Sequence, residues 1–143
     1  MTQPRSLVDL LRARAAAGPD RPAYTFLADG ETEAARLSYA GVDAAARALG
    51  DTLRRAGCAG ERALLLYPQG LEFVTAFWGC LYGGAVAVPA YPPRGERGLP
   101  RLRAILADAA PRAVLTTRAL LDEVRPWFGE AGDGLLWIAT DEI

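Results

Sequence analysis

From Ala63 onward the sequence alternates short, almost unbroken apolar runs with segments of helical periodicity. The apolar runs are "RALLLYP" (62–68), "AVAVPAY" (85–91), "AVLTT" (113–117) and "LLWIAT" (135–140). Consecutive apolar positions suit a strand covered on both faces, because a strand with one wet face alternates. Between these runs lie "LEFVTAFWGCLYGG" (71–84), "LPRLRAILADAAP" (99–111) and "RALLDEVRPWF" (118–128), each with the spacing of a helix. Strand, helix, strand, helix, strand, helix, strand predicts an α/β class: a parallel sheet with right-handed crossovers and helices on both faces.

The stretch from Phe73 to Pro93 carries no charge. By length alone it is a candidate membrane span. Against that stand Gly83-Gly84 in its middle and Pro89, Pro92 and Pro93 towards its end. These breakers divide it into a helix and a strand of ordinary size. The twin glycines are expected to end the helix and turn the chain, where a positive φ is wanted. Pro89 is expected to mark the end of the strand, since a central strand tolerates proline poorly. "AYPPR" (90–94) then falls in the loop beyond. Loops at the carboxyl ends of parallel strands are where such sheets bind ligands.

Upstream, Ser6 and Asp9 have capping-box spacing ahead of a stripe of Leu7, Leu10, Leu11 and Ala15, with Gly18-Pro19 as the stop. "AYTFLADG" (23–30) and "EAARLSY" (33–39) read as a β-hairpin. Ser38 is a good N-cap for a helix whose apolar face is Val42, Ala45, Ala46, Leu49, Leu53 and Ala56. Asp43, Arg47, Asp51 and Arg55 repeat at four-residue spacing on its outer face, which predicts weak ion-pair support. The predicted architecture is therefore a partial layered fold, with a helix and short hairpin placed before the parallel sheet. The predicted helix over 71–82 is apolar nearly all round, which predicts that partner layers are missing from the chain.

Composition limits the chemistry. All 16 basic residues are Arg, there is no His, and Ser6 and Ser38 are the only serines. That excludes a histidine base, a Ser–His triad, a Schiff-base lysine and a phosphate-loop lysine. Formal charge is −1 with no basic block, so nucleic acid has no electrostatic footprint. Cys58 and Cys80 alone cannot build a zinc site; a disulfide between them stays open, although Cys80 reads most simply as a core residue. "MTQPRSLVDL" (1–10) shows no signal peptide, which predicts a cytoplasmic protein. Arg94, Arg97, Arg101 and Arg103 gather loosely around the proline loop, either as an ordinary helix-start surface or as a contact for a phosphate or acidic partner. Asp122-Glu123 reads as a solvated helix face, and Trp78, Trp127 and Trp137 as packing residues. No catalytic, cofactor-binding or metal-binding residue is assigned.

Four motifs go further. "LSYAGVDAAARALGDTLRRAG" (37–57), "GCLYGGAVAVPAYPP" (79–93), "RLRAILADAAPRAVLTT" (101–117) and "LLWIATDEI" (135–143) resemble, in this order, the adenylate-forming enzyme superfamily. The Pro-Ala-Tyr-Pro-Pro version at 89–93 resembles its fatty acyl-AMP ligase branch. Gly41 departs from the family pattern, which usually carries Glu or Asp there. The resemblance implies that residues 1–143 are the N-terminal portion of an AMP-binding (adenylation) domain, truncated before the phosphate loop. It implies that the complete enzyme uses ATP and magnesium to make an acyl-adenylate from a fatty acid. The acyl group would then pass to an acyl carrier protein in polyketide or nonribosomal peptide assembly. Partners implied are the remainder of the adenylation domain, that carrier protein and the fatty acid, with no nucleic acid and no membrane span. The segment alone is expected to be inactive. The alternative from another class is a stand-alone, non-catalytic binding or interaction module derived from the same family.

Overall fold

The computed structural model describes residues 3–143; Met1 and Thr2, with which the signal-peptide reading begins, lie outside the described residues. Helix α1 (Leu7–Ala17) starts where the Ser6 hydroxyl accepts from the Asp9 N–H at 3.1 Å and stops at Gly18. The reciprocal half of the predicted capping box is displaced, because the Asp9 carboxylate accepts from the Arg5 N–H rather than from Ser6. Of the predicted stripe only Leu11 is fully buried; Leu7 and Leu10 are exposed. Strands β1 (Pro22–Leu27) and β2 (Glu33–Ser38) form the expected antiparallel hairpin. Its turn is tied by Asp29, whose carboxylate accepts from the Thr32 N–H, the Glu31 N–H and the Thr32 hydroxyl. Those donors, the Thr32 N–H foremost, hold the exposed Asp29 carboxyl down at about 2.

Helix α2 (Tyr39–Arg55) is capped by the Ser38 hydroxyl, which accepts from the Gly41 N–H at 3.1 Å. Asp43 and Arg47 pair at 2.7 Å as their spacing predicts, but Asp51 pairs with Arg54 instead of Arg55. A Cβ at Gly41 would meet nothing closer than 3.4 Å, so the position is free for a side chain. Gly41→Glu adds helix propensity and the missing half of a capping box, and should raise stability by about 1 kcal/mol. A urea titration checks this; a fall in the unfolding midpoint would overturn it.

The four-stranded sheet is wholly parallel, in the order β4 (Val86–Ala90), β3 (Arg62–Leu66), β5 (Ala113–Thr116), β6 (Leu136–Ala139). The two-residue period of β3 sends Ala63 and Leu65 to one face and Leu64 and Leu66 to the other. On the first face they meet Leu49 and Leu53 of α2 with Ala76 and Cys80 of α3 (Leu71–Gly83). On the second they meet Leu102 of α4 (Leu99–Ala109) with Val124 and Phe128 of α5 (Arg118–Phe128). The chain leaves β3 for β4 by way of α3, then returns past β3 to β5 by way of α4 on the opposite face. Opposite directions with helices on opposite faces are what a constant crossover hand requires.

Two expectations need correcting. Pro89 does not end its strand: it lies inside β4, in register with Leu65. The sheet tolerates it because β4 pairs only with β3, so the missing N–H falls on an open edge. Only Gly84 of the twin glycines takes a positive φ (72°); Gly83 closes the helix and packs against α2, where a Cβ would lie 3.1 Å from the Gly50 carbonyl oxygen. The apolar circumference of α3 meets α1, α2 and the hairpin only in part: Trp78 Nε1 donates to the Tyr24 hydroxyl at 2.9 Å, while Phe73, Val74, Phe77 and Leu81 stay half-buried, which leaves the expectation of missing partner layers standing. That hydrogen bond makes Trp78 a half-buried bridge instead of a core residue. Among the described residues no helix is long and apolar enough to cross a membrane, and 73–93 is a helix, a turn and a strand. Cys58 and Cys80 are free and buried in the first core, where burial pushes the Cys80 thiol up to about 12.

Candidate functional site

In an open α/β sheet the ligand crevice lies beyond the strand carboxyl ends, where the chain order reverses. Here that point falls between β3 and β5. It is filled by the chain's own side chains. The Tyr67 hydroxyl lies 2.7 Å from Thr140 Oγ1, and Thr140 in turn donates to the Thr116 carbonyl at 3.3 Å. Burial, the dominant influence, holds the Tyr67 phenol above its ordinary range. The start of α5 is closed as well. The Thr117 hydroxyl accepts from the Leu120 N–H, and the Asp141 carboxylate accepts from the Arg118 N–H at 2.8 Å. The Arg118 guanidinium grips both Glu142 oxygens at 2.8 Å, which lowers the Glu142 carboxyl below its usual range.

The open space sits one strand over, beyond β3 and β4. A groove of about 1330 Å³ runs between the loop after β3, the loop after β4 and the first turns of α4. Phe26 of the hairpin, Phe73 of α3 and Leu102 and Ile105 of α4 give it an apolar lining. Its polar lining residues are Tyr67, Gln69, Tyr91, Arg94 and Arg101; no carboxylate lines it. The proline loop is held from below. Pro93 is buried against Gly98, where a Cβ would come within 2.9 Å of the Pro93 backbone. Tyr91 projects from the same loop at 80% exposure. Of the four clustered arginines, the structure brings Arg94 and Arg101 to the groove and leaves Arg97 and Arg103 outside its lining. Among the described residues neither Arg94 nor Arg101 takes part in an ion pair.

The placement of residues 91–94 in a loop beyond the carboxyl end of a parallel strand was legible. The contributions of Phe26, Gln69 and Phe73 were not, because they arrive from elements remote in sequence; the turn "PQG" after a buried strand was the only local signal. Chemically the groove can hold an apolar body and an anionic group. It offers no carboxylate, thiol or imidazole for proton transfer. Among the described residues no three His, Cys, Asp or Glu side chains group closely enough to hold a metal ion. Magnesium, which the resemblance implies for the complete enzyme, is ordinarily held by one or two carboxylates together with substrate phosphates, and no carboxylate lines this groove.

The sequence matches the AMP-binding enzyme family over residues 11–141. The chain belongs to the AMP-binding enzymes. It is 44% identical over 144 aligned positions to a medium-chain fatty acid–[acyl-carrier-protein] ligase of Moorena producens, covering 96% of this chain and 24% of that protein. It is 37% identical to a 4-hydroxyphenylalkanoate adenylyltransferase of Mycobacterium marinum, covering 90% of this chain and 21% of that protein. Among solved structures, it matches a fatty acyl-adenylate ligase of L. pneumophila, in complex with acyl adenylate and pyrophosphate, with a TM-score of 0.85 at 37% identity. That match covers 96% of this chain and 24% of the ligase. The chain thus spans about a quarter of the length of these relatives. The likeness to fatty acyl-AMP ligases and the layered α/β fold expected from the four motifs are both borne out.

Proposed function

We propose that this chain forms the opening layers of a fatty acyl-AMP ligase and works together with the residues that complete that fold. The 44% identity to the Moorena producens fatty acid ligase carries the reading. In the proposed reaction a fatty acid carboxylate oxygen attacks the α-phosphorus of ATP. A phosphorus–oxygen bond forms, the α–β phosphoanhydride breaks, and pyrophosphate leaves with the electron pair. The acyl carbon then passes to the thiol of a carrier protein, forming a thioester and releasing AMP. Both reactants of the first step are anions, so their approach needs cationic groups beyond this chain's arginines. The chain's own part is mechanical: a sheet packed on both faces that fixes the loops at its carboxyl end.

The test is a chimera in which residues 1–143 replace the corresponding quarter of the L. pneumophila ligase. It should catalyse fatty-acid-dependent exchange of pyrophosphate into ATP, while the 143-residue chain alone should show none. A second reading, a non-catalytic module of the same descent, draws on one observation: both faces of the central strand are already covered by the chain's own helices. It predicts a folded chimera without exchange, and that outcome would reject the ligase reading.

A further inference from the structure

We propose that Cys58 and Cys80 form a redox pair, a dithiol that hydrogen peroxide converts to a disulfide pinning the last turns of α3 to the linker before β3. This goes beyond the ligase reading, since it needs neither ATP nor any residue outside this chain.

The two thiols are the only ones in the sequence, and both are free and fully buried in the core shared by α2 and α3. The backbone draws their surroundings together. The Gly60 N–H donates to the Gly84 carbonyl and the Val86 N–H to the Glu61 carbonyl, both at 2.8 Å, which ties the linker over 57–61 to the end of α3. Cys58 enters the core from one side of that junction, its N–H held by the Leu53 carbonyl at 2.9 Å. Cys80 enters from the other, its carbonyl accepting from the Ala85 N–H at 2.9 Å. The fold has thus already made most of the loop closure that a disulfide requires.

The two positions are unequal, and the inequality assigns their roles. Gly57, Ala59, Gly60 and Glu61 are exposed, so Cys58 is the one buried residue of an otherwise wet linker. The Arg112 guanidinium lies over that linker, 3.6 Å from where a Cβ on Gly57 would stand. Burial raises the Cys58 thiol and Arg112 opposes the rise, whereas Cys80 is pushed up to about 12 by burial and by Cys58 itself. Cys58 is therefore the thiol that meets the oxidant. Its sulfur takes one oxygen from peroxide: the sulfur–oxygen bond forms, the oxygen–oxygen bond breaks, and the departing hydroxide leaves as water with the thiol proton. The Cys80 sulfur then attacks Cys58: the disulfide bond forms, the sulfur–oxygen bond breaks, and a second water leaves with the Cys80 proton. Two thiols lose two electrons and one peroxide is reduced to two waters. The apolar core favours this end point, since a sulfinic or sulfonic acid at either position would bury a charge among hydrocarbon.

Intact-mass measurement of the native 143-residue chain after treatment with hydrogen peroxide reads the proposal directly. The mass should fall by two hydrogens, both free thiols should disappear together at a rate independent of protein concentration, and dithiothreitol should restore them. The oxidised chain should have a higher urea midpoint than the reduced chain. Against glutathione, the disulfide should form with an equilibrium constant about tenfold or more greater in the native chain than in denaturing urea. Cys80→Ala should stop the reaction at the sulfenic acid of Cys58, trapped by dimedone, and Cys58→Ala should leave Cys80 unoxidised. The mass of the parent chain decides the matter even where a variant fails to fold. Retention of both thiols in the native chain would overturn the proposal. So would gain of oxygen without loss of two hydrogens, a disulfide between chains, a lower urea midpoint on oxidation, or a pair that closes no better in the native chain than in urea. Because no nucleotide is present, failure here is separable from failure of the exchange assay.

Discussion

Gly50→Val should destabilise the chain by about 3 kcal/mol, read as a drop in the urea midpoint with an unchanged slope. Helices α2 and α3 meet glycine to glycine. A Cβ on Gly50 would lie 2.9 Å from Tyr82 Cβ and 3.0 Å from the Gly83 nitrogen, and the latter is backbone that cannot rotate away. Facing it, a Cβ on Gly83 would crowd the Gly50 carbonyl oxygen, and one on Gly79 would run into the side chain of Leu49. Relief by moving the helices apart is opposed by two cross-links. The Tyr82 hydroxyl donates to Asp43 Oδ1 at 2.5 Å, and the Tyr82 carbonyl accepts from Arg54 at 2.6 Å. Valine recovers a few tenths of a kcal/mol of helix propensity over glycine, too little to offset the overlap. A midpoint equal to or above that of the parent would mean that α2 and α3 are not in this close contact.

The same helix pair shows how far the sequence could be read. Its local signals were unambiguous: the Ser38 cap, the apolar face from Val42 to Leu53, and the break at Gly83-Gly84 all lie where the structure has them. The strands from Arg62 to Ala139 and the helices between them were legible for the same reason, since periodicity and breakers are local properties. What escaped depends on which elements become neighbours. Pro89 was misjudged because nothing within "AVAVPAY" says that β4 lies at an edge. Gly83 was assigned a turn because its true role, close approach to Gly50, is written in another helix. The Trp78–Tyr24 hydrogen bond escaped for the same reason, since it joins residues 54 positions apart. In the groove, the proline loop and two of its arginines were visible, but Phe26 and Phe73 gain meaning only when the hairpin and α3 are folded over the strand ends. No reading of residue types alone separates Arg94 and Arg101, which line the groove, from Arg97 and Arg103, which do not.

Leu64→Ala and Leu65→Ala should each cost between about 2 and 5 kcal/mol, although the two residues are adjacent and face opposite ways. Both are fully buried in the central strand β3, Leu64 in the core shared with α4 and α5 and Leu65 in the core shared with α2 and α3. Removing either isobutyl group leaves a cavity in a layer fixed by β4 on one side and β5 on the other, so the site cannot collapse cheaply. Val86→Ala on the open edge, at 51% exposure, should change stability by less than about 0.5 kcal/mol and serves as the internal control. Equal penalties at Leu64 and Leu65 distinguish a sheet covered on both faces from one with a wet side, where one of the two would be near neutral. A near-neutral Leu64→Ala in particular would detach α4 from the sheet. Leu102 and Ile105 of that helix line the groove together with the Arg94 loop that precedes it, so loss of the α4 layer would remove the groove as well as half of the core. The stability of one strand and the existence of the groove are therefore a single question, and two substitutions in β3 decide it.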